Sequence, residues 1–457
     1  MQGRQICAMR AILAVSAALA VTAPSPARAQ EWLRDRRHSQ GPGIVLSDSL
    51  VLHAGIAVEG GYDSNVFYTG ADGEPEDAGR VRVTPQVELA TRPSQRIENP
   101  DGSRSVTPQT ADFHLNVAGI YNQYIATGPY ADAVMDQSDF GIQSGLGLTV
   151  YPQRPWSFVL RNLFTRTIDP PNEIGPANYN RIYDRAELGV QWKPGGGAFE
   201  LNLLGGVTLN IYEQSGPIAN VGNYVSPGAT VSGRWKFYPN TALTFESNFE
   251  YANRFDAGGG SGPGGFLISS SYPVRSWIGL NGQWTPLIAT SLRLGYGAGF
   301  YDEGEDFDSV LAQAEVAFLI SPTGRLKFGF LRDFVDSFFS NFYVRNQGYA
   351  RWEQMFGGAF LIGLQLNVRY LEYATLYHAD GTRARDDEVS RNPRADTRID
   401  GVLFAEYRVK DWLAFNATVS YENNITDFLW ARGAAPEGSR DESYWRLMAF
   451  LGARVVY

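Results

Sequence analysis

The sequence predicts an all-β fold: a transmembrane up-and-down antiparallel β-barrel of about eighteen strands, with short periplasmic turns and longer extracellular loops. Three observations predict it. Long runs alternate apolar and polar side chains, short and long connections alternate between those runs, and the final run ends on an aromatic residue, Tyr457.

The alternation is plainest from Phe360 to Tyr370. Phe360, Ile362, Leu364, Leu366, Val368 and Tyr370 are apolar, and Gly363, Gln365, Asn367 and Arg369 stand between them. Successive side chains of a strand point to opposite faces, so one face suits hydrocarbon and the other suits water. Leu243 to Tyr251 and Ile182 to Trp192 repeat the pattern. So do Phe113 to Tyr121, Phe140 to Val150, Phe199 to Ile211, Val231 to Phe237, Val310 to Ile320, Ile399 to Val409 and Leu413 to Tyr421. A soluble sandwich also alternates, but its strands average about five or six residues, whereas a tilted membrane strand needs about nine to eleven. Trp156, Trp192, Tyr238, Trp284 and Trp412 stand beside the tight turns, where a girdle of half-wet rings belongs at a membrane interface.

Tight links are predicted at Pro152 to Pro155, Pro194 to Ala198, Pro239 to Ala242, Pro286 to Ala289, Ser321 to Gly324, Phe356 to Gly358 and Lys410 to Trp412. Between them lie longer ones, including Asp63 to Arg80, Asp169 to Asn180, Glu213 to Asn223, Asn253 to Ser269, Glu372 to Asp396 and Asn423 to Glu442. Greek-key crossings would not produce that order. One link departs from it: Arg92 to Thr110 is long where a short turn is due, and it carries Pro93, Pro100 and Pro108. In the last run Trp445, Leu447, Ala449, Leu451, Ala453, Val455 and Tyr457 share one face. Trp445, Leu447, Leu451, Val455 and Tyr457 are the candidate assembly signal, since so apolar a strand at an open sheet edge would invite aggregation.

The first residues read as a leader. Arg4 and Arg10 precede the apolar run Ala11 to Val21, and Ala27-Arg28-Ala29 follows, so residues 1–29 are expected to be a signal peptide cleaved after Ala29. Residues 30–50 then form a periplasmic segment and 51–457 the barrel. The single cysteine, Cys7, falls in the leader, which leaves no disulfide framework and no cysteine-based zinc site after cleavage. No later stretch has eighteen consecutive apolar residues, which excludes a helical membrane protein. Aromatic residues at 13% and 49 glycines favour sheet. A net charge of -9 spread over both signs argues against nucleic acid as a partner.

About eighteen strands enclose more space than side chains fill, so an aqueous lumen is expected. Parity assigns its lining to His114, Asn116, Arg161, Arg185, Glu187, Arg234, Lys236, Glu246, Glu250, Arg345, Arg351, Gln365, Arg369, Glu406 and Arg408. Both signs are interleaved, which favours a hydrated, polar, sugar-like passenger over a strongly charged one. The bland alternative is that these groups pair across neighbouring strands and stiffen the wall.

Gly61-Tyr62-Asp63-Ser64-Asn65-Val66-Phe67, the echo Tyr421-Glu422-Asn423-Asn424-Ile425, and the turn Glu406-Tyr407-Arg408-Val409-Lys410-Asp411-Trp412-Leu413 resemble the type-two beta-barrel porin family of Gram-negative outer-membrane proteins. Some of its members are linked to exopolysaccharide or capsule export. The resemblance implies an outer-membrane conduit for a surface polysaccharide, working with a periplasmic polysaccharide-export protein for which Arg92 to Thr110 is the docking candidate. Outer-membrane lipid, lipopolysaccharide and the barrel-assembly machinery are the other expected partners.

A diffusion porin for small solutes is the rival reading, with Asp63 to Arg80 and Glu372 to Asp396 long enough to enter the lumen. An enzyme is not expected. His38 precedes the barrel, His53 and His114 point inward by parity, and a rim site would need His378 with Asp380, Asp386 and Asp387, an unspecific charged loop. The twenty or so residues before the first strand are too few for a plug domain. No cofactor or metal is expected. The acidic groups Asp72, Glu74, Glu76 and Asp77, and Asp386, Asp387 and Glu388, read as solvated charge rather than a calcium site.

Overall fold

The computed structural model describes residues 43–457 apart from 71–72, 93–95, 99–103, 107–108, 168–179, 214–221, 256–265, 338, 379, 386–388 and 430–441. The expected leader therefore lies outside the described residues, as do His38, Asp72 and the acidic triplet at 386–388. One sheet of twenty segments forms the body. Two of them, Ile44–Ser47 and Asn253–Arg254, are short additions. The other eighteen are the barrel strands: β1 Leu50–Asp63, β2 Ala78–Thr91, β3 Ala111–Ile125, β4 Asp139–Val150, β5 Trp156–Thr167, β6 Arg181–Trp192, β7 Phe199–Tyr212, β8 Tyr224–Tyr238, β9 Thr241–Glu250, β10 Ser271–Thr285, β11 Ile288–Tyr301, β12 Phe307–Ser321, β13 Gly324–Asp336, β14 Phe342–Phe356, β15 Phe360–Tyr373, β16 Ala395–Lys410, β17 Leu413–Thr426 and β18 Tyr444–Val456.

Each strand pairs antiparallel with the next, and β1 pairs with β18, so the sheet is a closed ring. Closure is what the polar backbone requires in hydrocarbon, because an unpaired N–H or C=O there costs several kcal/mol. No helix among the described residues is long and apolar enough to cross a membrane.

Facing partners share a side of the sheet, and the register therefore carries one face around the ring. Glu59 of β1 sits opposite Arg82, and Gly61 opposite Arg80. In β15, Asn367 sits opposite Tyr349 and Asp400, while Leu366 sits opposite Ala350 and Gly401. The inward set is buried and polar: Glu59, Asp63, Arg82, Asp400 and Glu406 are all 3% exposed or less. The outward set is apolar and bare, with Leu451 at 70%, Leu188 at 68% and Leu294 at 63%. This is the inverse of a soluble protein, and it is a surface that only lipid would cover. All five candidate assembly residues, Trp445, Leu447, Leu451, Val455 and Tyr457, belong to the outward set.

The tight links all lie at one end. Between β14 and β15 the turn is made by Gly357 and Gly358 at φ +55° and +71°, the left-handed pair that matches the twist of a two-strand hairpin. The long link 92–110 also lies at this end and contains a small hairpin of its own, Arg96–Glu98 against Arg104–Val106. At the opposite end most connections are long, but two are short, 302–306 and 337–341. Loop 126–138 holds a short α-helix, Ala131–Met135.

The register makes a direct prediction. Leu364→Arg places a cation on the lipid face at a cost of about 2–4 kcal/mol near the midplane. Gln365→Arg places it in the lumen at a cost of under about 1 kcal/mol. Urea titration of folding into lipid vesicles should separate the two variants by that margin.

Candidate functional site

Parity also brings the lumen charges together in space. Arg185 of β6 donates to Glu187 at 2.9 Å and to Glu250 at 3.0 Å. Arg234 reaches Glu200 at 2.7 Å, and Arg351 reaches Glu353 at 2.7 Å. Glu406 lies between Arg408 at 3.1 Å and Arg454 at 2.9 Å. Arg369 pairs with Asp400, and His114 lies 3.5 Å from Glu88. Asn116, Arg161, Lys236, Glu246 and Gln365 face the same space on the register of their strands. Arg345 faces it too, with Nε and Nη2 buried and without a hydrogen-bond partner.

Several lumen groups were not anticipated although the same parity contains them. Glu59 accepts from Arg82 at 2.7 Å and from Asn416 at 2.6 Å, tying β17 and β2 to the first strand. Arg446 bonds Asp63 through Nε at 2.8 Å across the seam between β18 and β1. Glu315 takes Lys327 at 2.8 Å and the Tyr349 hydroxyl at 2.7 Å. These ions sit at strand ends or between residues that read as apolar, where a short run of alternation is hard to phase.

The lumen is not an open tube at the long-loop end. Phe266 of the β9–β10 loop and His378 of the β15–β16 loop form a backbone bridge, and Leu267 N donates to Tyr377 O at 2.7 Å. A buried apolar cluster forms around them. Leu376, Ala384 and Val389 come from one loop, Phe339 and Phe428 from two others, and Tyr212, Leu371 and Tyr373 from inward positions of the wall. β7 and β15 are eight strands apart one way around the ring and ten the other. The cluster therefore spans the mouth from wall to wall. Of the two loops long enough to enter, Glu372 to Asp396 is the one that does so. Asp63 to Arg80 instead packs locally, with Val66, Phe67 and Ala78 against Tyr124 and Val134.

Arg394 fastens this cap. It is 1% exposed and lies over the rings of Phe339, Tyr373 and Phe428 at 4.9–5.0 Å. It pairs with Asp396 at 2.7 Å and lies 3.8 Å from Glu442. Burial alone would lower its affinity for the proton, but Asp396, Tyr373 and Glu442 more than offset that and hold the guanidinium well above its ordinary value. One buried cation thus ties three loops together.

Of the rim set, Asp386 and Asp387 lie outside the described residues. His378 packs against Phe266 with the rings tilted by 38° and their centres 5.3 Å apart. Asp380 caps its own turn through Thr382 Oγ1 at 2.6 Å and Thr382 N at 2.9 Å, and these bonds hold its carboxyl below the usual range. No group of three or more potential metal-ligating side chains occurs among the described residues.

No family model matches the chain, and no curated protein matches it. The resemblance to the type-two porin family accordingly rests on its short motifs alone. Among solved structures the chain is similar to a Pseudomonas aeruginosa protein, OccK2 (OpdF), in complex with glucuronate, at 10% identity, over 89% of this chain and 98% of that one, with a TM-score of 0.47. It is also similar to P. aeruginosa OpdK with vanillate, at 10% identity, 89% and 99% coverage and a TM-score of 0.46. A BenF-like porin from Pseudomonas fluorescens Pf-5 gives 10% identity, 89% and 99% coverage and a TM-score of 0.47.

Arg394→Ala removes the cation nearest buried Asp396, which keeps Arg398 at 3.7 Å, and the one 3.8 Å from Glu442, a loss of up to about 3–5 kcal/mol in the order of the cap. The barrel itself should keep its heat-modifiable mobility on gels. Protease added to the folded protein should cut loop 374–394 much faster than in the wild type, and unchanged cutting would remove Arg394 from this role.

Proposed function

We propose that the chain is an outer-membrane porin that passes small hydrated solutes, with the folded-in loops serving as its size filter. The apolar outer face supports the membrane placement, since no aqueous environment stabilises so much bare Leu, Val and Phe surface. The wet, charge-lined interior supports a pore. The observation that carries the reading is the apolar cluster across the mouth, from Tyr212 on one wall to Leu371 and Tyr373 on the other.

That observation separates the two readings of the sequence. Export of a surface polysaccharide needs a continuous passage wide enough for a hydrated polymer chain. A buried core of aromatic and aliphatic side chains in the mouth opposes this, and it suits a constriction past which single small molecules diffuse. Small-solute passage is therefore favoured over polysaccharide export. The mixed signs of the lining fit a polar, weakly charged solute, since selection of one ion sign calls for a ring of the other.

Purified protein in planar lipid bilayers should give discrete ion-conducting steps. Replacing residues 375–393 with a short Gly-Ser linker should raise the step size several-fold and widen the range of solutes admitted in a liposome-swelling assay. If the linker variant conducts like the wild type, the cap is not the filter. If a long dextran passes the wild-type pore as readily as a monosaccharide, the export reading returns.

A further inference from the structure

The wall is incomplete at one seam. β12 and β13 pair from their tight turn as far as Ala312 opposite Arg332, and there the ladder between them stops. Both strands nevertheless continue. Phe307 to Leu311 stay paired with β11, and Asp333 to Asp336 stay paired with β14. Continued register would set Val310 against Phe334, but side chains have taken their backbone groups. Arg332 Nε donates to Val310 O at 3.3 Å, and its Nη2 donates to Ser309 Oγ at 3.3 Å. Phe334 N donates to Asp333 Oδ1 at 2.8 Å, and Phe334 O accepts from Arg275 Nη2 at 2.8 Å. Backbone groups at membrane depth must find partners, and because side chains supply them here, the seam can part without breaking a ladder pair. The two short links of this end, 302–306 and 337–341, flank the break, so neither adjoining hairpin overhangs it with a long loop.

The end of β13 leans inward. Phe328 and Phe330 are 48% and 42% exposed on the lipid face, yet Phe334, of the same parity, is fully buried. Its ring stacks on Phe307 with centres 4.2 Å apart and rests on Gly297 and Gly299 of β11, where a Cβ would meet it at 2.9 and 3.1 Å. The Arg275 guanidinium lies 4.1 Å from the ring centre. Trp277, Tyr301, Leu311 and Phe342 complete an apolar cluster directly inside the break. The ions around it are matched, Arg275 with Asp333 at 3.2 Å and Arg254 with Asp336 at 3.3 Å. On the lipid side Val310 is 57% exposed, and Arg332 at the lip also donates to Asn346 at 2.8 Å.

We propose that this seam is a lateral gate with Phe334 as its leaf, admitting a small apolar solute about the size of one aromatic ring from the surrounding lipid to the barrel interior. The route is separate from the passage of hydrated solutes along the barrel axis. The seam is shut as it stands, and the space a solute takes is the space the Phe334 ring vacates when it turns aside. Turning costs the ring its contacts with Phe307 and Arg275, and parting the lip costs Arg332 its bonds to Val310 and Ser309. An apolar ring restores the first set of contacts. The matched ions offer a charged solute no equivalent return.

The test uses the full chain in lipid vesicles and an iodophenyl trifluoromethyl diazirine, a ring-sized apolar photolabel that dissolves in bilayers. Lipid-facing residues should label throughout. Among inward apolar residues, Phe307 and Leu311 inside the break should label, while Leu204 and Phe404, buried on distant parts of the wall, should not. Phe334→Ala should raise labelling of Leu311 roughly five-fold, the shift that loss of one ring-on-ring contact gives a two-state opening. Heat-modifiable mobility establishes that the variant is folded, and the wild-type map needs no variant. A wild type labelled only on lipid-facing residues overturns the gate. Equal labelling of Leu311, Leu204 and Phe404 overturns it as well, since the probe then enters along the axis, and so does a Phe334→Ala map identical to the wild type. Ion-conducting steps in planar bilayers test the porin reading separately.

Discussion

Closure of the sheet is the constraint from which the rest follows. In a bilayer no water is available to an unpaired strand edge, so β1 must find β18. Once the ring is shut, each strand has one face toward lipid and one toward a shared interior. That geometry places a strip of leucine, valine and aromatic rings outside and a dense set of ions inside. The seam is held by more than its ladder. Asp63 with Arg446, and Glu59 with Asn416 and Arg82, bind the first strand to both sides of the closure.

Those seam contacts also give a physical account of the most distinctive sequence motif. In Gly61-Tyr62-Asp63-Ser64-Asn65-Val66-Phe67, Asp63 holds Arg446, and Ser64 Oγ accepts from Leu447 N at 2.8 Å. Asn65 donates to Trp445 O at 3.1 Å and accepts from Thr69 N at 2.7 Å. The echo near Tyr421 does a similar job: Asn424 donates to Glu442 O at 2.7 Å and accepts from Arg398 at 3.1 Å. Both motifs fasten the last strand where it enters the ring. Their short polar side chains serve closure, which any barrel of this kind requires, and they carry no information about a passenger.

The interior divides the work between pairing and recognition. Most inward ions are matched across neighbouring strands, which keeps the cost of crowding them low and stiffens the wall. Against that background one unmatched feature stands out, an apolar core inside a charged lumen. Arg394 makes it compatible with the rest. Its guanidinium bridges aromatic faces and acidic groups, so a greasy cap docks onto a polar rim.

Fold class, strand order and the side to which each residue points are local properties. A period of two read over ten residues assigns Leu366 to lipid and Arg369 to the lumen without knowledge of any other strand, because the pleat alternates whatever surrounds it. Alternating connection lengths order the hairpins for the same reason. Contacts between segments distant in the chain have no such signature. That Phe266 meets His378, that Tyr212 shares a core with Leu371, and that loop Glu372 to Asp396 turns inward while Asp63 to Arg80 does not, all depend on the diameter of the closed ring and on which loops face one another across it. The Glu187–Gly206–Gly228–Glu250 row is of the same kind. Glu187 and Glu250 each take a face from their own strand, but the alignment of the row is set by the register of four strands, and that exists only once the ring has formed.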